Sequence, residues 1–185
     1  MAAPPVSTTV TYEEWLRMPE VHDAREEVVN GEIRIMPPCK SPHPKVVAKL
    51  MSALVRQLDD ALFWILTGSF GLVIRKEPLT CRIPDLAVFE RATLVEADGY
   101  FQSAPLLAVE VLSPSEDRKI KAEKLRDYES ISVPEVWLIS PEGRTVEILY
   151  LEEQQLRRSA ILAEGLLKPR LFPGVQIDIA QIWPD

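Results

Sequence analysis

An α/β fold, in which helices pack on a mixed sheet, is the architecture that this 185-residue sequence predicts. Three observations carry that reading. Apolar residues recur at three- and four-residue steps from Pro44 to about Trp64, and a second helical pattern starts near Glu116. Short apolar runs of strand length lie before, between and after these helices, which is the pattern of a mixed layered domain. No internal repeat or low-complexity linker divides the chain, so residues 10–185 read as a single domain behind a flexible, Pro-rich segment, residues 1–9.

In chain order, Thr11-x-x-Glu14 forms a capping box opening a short helix that turns Tyr12, Trp15 and Leu16 inward and ends before Pro19. Glu27–Ile35 reads as a hairpin, because Asn30-Gly31 suits a type I′ turn. Pro37, Pro38, Pro42 and Pro44 punctuate the next loop, and Pro44 fits the first turn of the long helix with His43 at its entrance. Leu72–Arg75 is a strand and Pro78–Arg82 a turn into the next one, Ile83–Phe89. The stretch from Arg91 to Pro105 lacks periodicity and reads as a connecting loop or short helix. A dense apolar strand follows at Leu106–Leu112, then Ser113-Pro114-Ser115 and the second helix. Val136–Ile139 and Thr145–Tyr150 are strands joined by a Pro141-Glu142-Gly143-Arg144 turn. Glu152–Arg158 is a polar excursion, and further strands occupy Ser159–Leu162 and Val175–Ile179.

Composition narrows the function. Hydrophobic residues make up 46% and charged residues 26%, which is globular rather than disordered. A net charge of −7 argues against coating nucleic acid through a broad basic surface, yet it leaves room for local phosphate contacts aided by a metal. Two cysteines, Cys39 and Cys81, are too few for a disulfide framework or a zinc cluster. No apolar stretch approaches membrane-spanning length and no signal peptide is visible, so the cytoplasm is the expected compartment. Phosphate-cradling Gly-rich loops, dinucleotide fingerprints and a serine nucleophile elbow are absent.

The chemistry concentrates between Ile83 and Tyr128. Asp85 and Glu110 each sit in an apolar strand, and a buried carboxylate is costly unless paired or metal-bound. If the strands are neighbours, the acids meet at one sheet edge. Lys121, Lys124 and Tyr128 recur at helical spacing on the following helix, so one face can return a cation to the acids. Metal-assisted hydrolysis is one reading; a structural ion pair across a strand–helix junction is the other. Asp85, after Pro84, can also face water, and His43 can equally be a helix-entrance residue.

PDLAVF, AVEVLSPS and EKLRDYESISVPEVWLI together resemble the Uma2 family, over about Tyr12 to Ile182. The resemblance implies the restriction-endonuclease-like fold of the PD-(D/E)XK nucleases, with Asp85, Glu110 and the Val111 carbonyl holding Mg2+ or Mn2+. It also implies catalytic roles for Lys124, Tyr128 and His43, with DNA as substrate. The superfamily lysine two residues after the second acid is Leu112 here, and Lys124 takes its place, with Lys121 as its rival. Two common family aspartates are replaced by Ile120 and Ser140. Glu32 matches the acid of a family Gly-Glu step but reads as a hairpin surface residue, and Trp137 and Tyr150 read as core or interface. A homodimer is expected, from the resemblance and from the apolar Leu149, Leu151 and Leu156. The alternatives are a non-catalytic nucleic-acid- or protein-binding module on the same fold, and hydrolysis of another phosphodiester.

Overall fold

The computed structural model describes residues 9–19, 25–36, 38, 40–113 and 118–184. All of the N-terminal segment except Thr9 lies outside the described residues, as does the expected helix start near Glu116. Helix α1 (Tyr12–Trp15) opens on the expected capping box: Glu14 N donates to Thr11 Oγ1 (3.2 Å) and Thr11 N to Glu14 Oε2 (2.9 Å). Strands β1 (Arg25–Val29) and β2 (Glu32–Met36) form the expected hairpin, with Asn30 and Gly31 both at positive φ, 52° and 82°. Helix α2 (His43–Val55) carries Pro44 in its first turn and buries Val46, Leu50, Ala53 and Leu54.

The expected helix to Trp64 is two elements. Asp59 Oδ1 accepts from Ala61 N (2.9 Å) and turns the chain, and Phe63–Thr67 runs as strand β3. Its aromatic and β-branched residues suit a pleated surface, and helical spacing through Leu62 had no means of excluding that. Strands β4 (Leu72–Lys76) and β5 (Leu79–Arg82) pair about Glu77-Pro78, so Leu79–Arg82 is a strand and not the expected turn. β6 (Leu86–Glu90) follows; it begins three residues later than the expected Ile83–Phe89, so Asp85 lies in the bend just before the strand and not within it. The stretch read as loop or short helix contains β7 (Glu96–Ala97) and β8 (Tyr100–Phe101), a hairpin about Asp98-Gly99 with both residues at positive φ.

Next come β9 (Leu107–Val111), α3 (Arg118–Ser130), β10 (Glu135–Ser140), β11 (Thr145–Glu152) and β12 (Gln155–Leu162). Of the expected polar excursion Glu152–Arg158 only Glu153 and Gln154, with φ of 50° and 63° and no Asn-Gly signal, form the tip of the β11–β12 hairpin; Gln155–Arg158 already belong to β12. Strands β13 (Leu166–Leu167) and β14 (Ile177–Asp178) pair, and α4 (Ile179–Ile182) starts where Asp178 Oδ1 accepts from Ala180 N (2.9 Å). The strand expected over Val175–Ile179 is thus cut short by a helix cap.

The main sheet has the order β12-β11-β10-β9-β6-β3, antiparallel except for β9–β10, whose parallel crossover is α3. A second six-stranded sheet runs β2-β1-β5-β4-β8-β7. One core lies between the main sheet and α2 with α4, around Leu50, Val88, Val109 and Trp137. The other lies on the opposite face, where Phe89, Ala108, Tyr128 and Leu138 meet Leu72 and Phe101. Leu149 is buried in that second core and Leu156 packs against it, so two of the three leucines expected at a subunit interface serve the interior. No helix among the described residues is long and apolar enough to cross a membrane.

Candidate active site

Strands β6 and β9 are antiparallel neighbours, with Leu86 opposite Val109. Just beyond that ladder, Val111 N donates to Asp85 Oδ2 (2.8 Å), so the end of β9 fixes the first carboxylate. His43 Nε2, at the start of α2, lies 3.0 Å from the same oxygen, and Arg25 Nη2 lies 3.4 Å from Oδ1. Burial alone raises the Asp85 carboxyl, but the His43 bond and the Val111 amide outweigh it and hold the group below its ordinary value.

Glu110 is 3% exposed on β9. Lys124 Nζ donates to its Oε2 (2.7 Å), and the Tyr128 hydroxyl donates to its Oε1. Both donors come from α3, one turn apart, which is the geometry that helical spacing predicts. The Glu110 carboxyl is pushed up to about 7, first by burial; Lys124 pulls it down, while Asp85 and Glu27 add to the rise. Burial works against the charged form of Lys124, yet the carboxylates of Glu110 and Glu27 prevail and raise its pKa. The Tyr128 hydroxyl is raised well above its usual value by burial and then by the charge of Glu110, so it remains a donor. The rival Lys121 turns elsewhere and pairs with Glu147 on β11 (2.8 Å).

Sequence reasoning missed Glu27 and Arg82. Glu27, 3% exposed on β1, places Oε1 3.8 Å from Lys124 Nζ and 3.2 Å from Ile83 N. Its Oε2 accepts from Arg82 Nη1 (2.9 Å). Arg82 is fully buried and reaches α3, where Nε donates to Asp127 Oδ2 (2.8 Å) and Nη2 lies 3.2 Å from Glu123 Oε1. A signal existed in part: Glu27 precedes two valines on a strand, and a charge there needs a partner. No spacing in the sequence connects positions 27, 82 and 127.

The remaining candidates fall where a structural role accounts for them. Leu112 packs against the second core. Ile120 is 38% exposed on α3, and Ser140 Oγ accepts from Gly143 N (3.1 Å) in the β10–β11 turn, so neither replaced aspartate position touches the acids. Glu32 is exposed beside its hairpin turn. Trp137 is core and donates to Glu135 (2.7 Å), while Tyr150 lies under the Arg170 guanidinium (3.7 Å).

Among the described residues, no three His, Cys, Asp or Glu side chains cluster as a metal cage. Mg2+ and Mn2+ need less, since they favour oxygen donors and retain waters. Asp85 and Glu110 are such donors. A strand residue sends its N–H and carbonyl to the same edge, so the Val111 carbonyl leaves β9 on the side where its amide meets Asp85. The donor chemistry therefore fits a hard divalent cation.

The sequence model of Uma2, described as a putative restriction endonuclease, matches residues 12–180. This chain belongs to the Uma2 family. The Uma2 chain is also similar in structure to a putative nuclease belonging to DUF820 from Anabaena variabilis ATCC 29413, with a TM-score of 0.76 and 18% identity. That alignment covers 94% of this chain and 97% of the other, and it shows that the nuclease-like fold is shared. No curated protein matches the chain.

Proposed function

We propose that this Uma2 protein is an endodeoxyribonuclease of the cytoplasm that hydrolyses DNA phosphodiester bonds with Mg2+ or Mn2+ held by Asp85, Glu110 and the Val111 carbonyl. The observation that carries the reading is Lys124 at 2.7 Å from Glu110, on the acid strand next to that of Asp85. That contact supports a site of two acids, an oxygen donor and a cation although Leu112 breaks the usual motif.

A divalent cation held by Asp85, Glu110 and the Val111 carbonyl would supply Lewis-acid chemistry towards the phosphoryl group and the attacking water. The residues of the chain do the rest. Lys124 keeps its proton and offers a fixed positive charge to the oxygen on which negative charge develops. Tyr128, likewise protonated, pins Glu110 Oε1 and so sets the direction of the other oxygen. His43 holds Asp85 through Nε2; its Nδ1 is buried and has no hydrogen-bond partner among the described residues, so the ring serves the carboxylate. Arg82 ties Glu27 to α3 and keeps the lysine helix against the sheet.

One observation favours the non-catalytic reading: both Glu110 oxygens already receive protein donors, so the acids are balanced without a metal. Titration calorimetry with Mn2+ on wild type and Glu110→Ala separates the two. Binding that weakens at least tenfold in the variant, together with Mn2+-dependent cleavage of plasmid DNA by wild type, is the expected result. Equal affinity in both proteins removes Glu110 from the site, and absent cleavage over many DNA substrates turns the reading to a binding module.

A further inference from the structure

Strand β3 ends the main sheet and pairs with β6 alone. Leu62 O accepts from Arg91 N (2.8 Å) and Gly68 N donates to Asp85 O (3.2 Å), so the even-numbered residues direct their backbone groups towards β6. By strand alternation the amide and carbonyl of Ile65 leave on the opposite edge, and among the described residues no hydrogen bond reaches them. Natural sheets guard such edges with lysine, proline, a bulge or a covering element. The opposite edge of this sheet follows that rule, with Arg157 and Arg158 exposed on β12. β3 does not: it reads Phe-Trp-Ile-Leu-Thr, pairs in unbroken register and is half-buried at all five positions. A groove of about 240 Å³ runs beside it, lined by Val55, Leu58, Phe63 and Ile65 together with Asp60 and with Arg91, whose guanidinium lies over the Trp64 ring, and Val55 and Leu62 are more than half exposed.

We propose that β3 pairs antiparallel with β3 of a second copy of this chain, about a twofold axis near Ile65, and joins the two main sheets into one. Unmet donors and acceptors in the plane of a sheet call for another extended strand rather than a helix or a lipid surface. A twofold axis makes one segment serve both sides, and a strand with no charged residue of its own lets two chains of net charge −7 approach at that point. The axis of an antiparallel pair stands perpendicular to the sheet, so both copies of the acid site open on the same face. Asp85 is level with Gly68, three residues from Ile65 and one strand in from the seam. Three strand spacings across and six residues along place the two Asp85 positions roughly 24 Å apart. That is within one duplex turn of about 34 Å, close enough for both strands of one DNA molecule. The spacing argument rests on the nuclease reading; the strand pairing does not.

Sedimentation equilibrium of the full chain should give twice the chain mass at micromolar concentration. Ile65→Lys, which buries two ammonium groups against each other at the axis, should weaken association by roughly two orders of magnitude with an unchanged circular dichroism spectrum. Ile161→Lys, on the guarded β12 edge, should leave the dimer intact. Should Ile65→Lys fail to fold, amide exchange of the wild type decides: the Ile65 N–H must become protected as concentration rises. A monomeric wild type, a dimer indifferent to Ile65→Lys, or an Ile65 amide that exchanges freely in the dimer overturns the proposal. A dimer that cleaves nothing sinks the nuclease reading alone, and a monomer that cleaves sinks only the seam.

Discussion

Replacing Lys124 by methionine tests the site most directly, because it keeps the length of the side chain and removes only the charge. Lys124 is 7% exposed and stands between two buried carboxylates, 2.7 Å from Glu110 and 3.8 Å from Glu27. Breaking a buried pair of this kind costs about 3–5 kcal/mol when the abandoned charge has no escape. Glu110 has one: its carboxyl sits near 7 already, so it takes up a proton once the lysine is gone. The loss of stability at neutral pH should therefore fall at or below the low end of that range, about 2–3 kcal/mol. The catalytic loss should be larger, about 100- to 1000-fold in rate, the usual consequence of removing one preorganised donor to a developing anion. Lys121→Met is the control. Its pair with Glu147 is part exposed, and such pairs contribute about 0–1 kcal/mol. Urea titration and Mn2+-dependent plasmid cleavage, run on both variants, separate folding from chemistry. Full cleavage by Lys124→Met refutes the reasoning, and so does a dead Lys121→Met beside an active Lys124→Met.

Two further outcomes follow from the buried charges. Because the folded state holds the Glu110 proton more tightly than the unfolded chain does, the stability it contributes is complete below the ordinary carboxylate range and is lost as pH rises through about 7. The difference in unfolding free energy between wild type and Glu110→Gln should accordingly shift by about 2 kcal/mol between pH ~5.5 and pH ~8, and a flat difference contradicts it. Arg82→Met should cost about 3–5 kcal/mol in urea titration, since it strands Glu27 and Asp127 in the interior, whereas Arg157→Met at the exposed β11–β12 tip should cost under about 0.5 kcal/mol; similar losses would show that the buried network is not what holds α3.

The parts legible in the sequence are those settled by neighbours along the chain. The capping box at Thr11 and Glu14 and the Asn30-Gly31 turn depend on atoms within four residues of each other, so residue type alone selects them. The Asp85 and Glu110 strands and the helical spacing of Lys124 and Tyr128 were readable for the same reason: strand and helix periods decide which side chains share a face. Local pattern failed where two structures satisfy it equally. Phe63–Thr67 continues the apolar spacing of α2, and only its pairing with β6 makes it a strand. The two-residue strands β7 and β8 have no period to detect; their hairpin joins the second sheet at β4 through the ladder contact of Phe101 with Leu72.

The sequence by itself determined which charged groups had to find partners: a carboxylate embedded in Ala-Val-Glu-Val cannot stay buried alone. Tertiary structure alone decided which partners they found. It turned Lys121 to Glu147 and Lys124 to Glu110, although the two lysines lie three residues apart on one helix. It also brought Glu27 and Arg82 to that helix from strands far away in the chain. Coulomb attraction and desolvation act through space and act most strongly where water is excluded, and which groups water leaves together is fixed only when the two sheets close over α3.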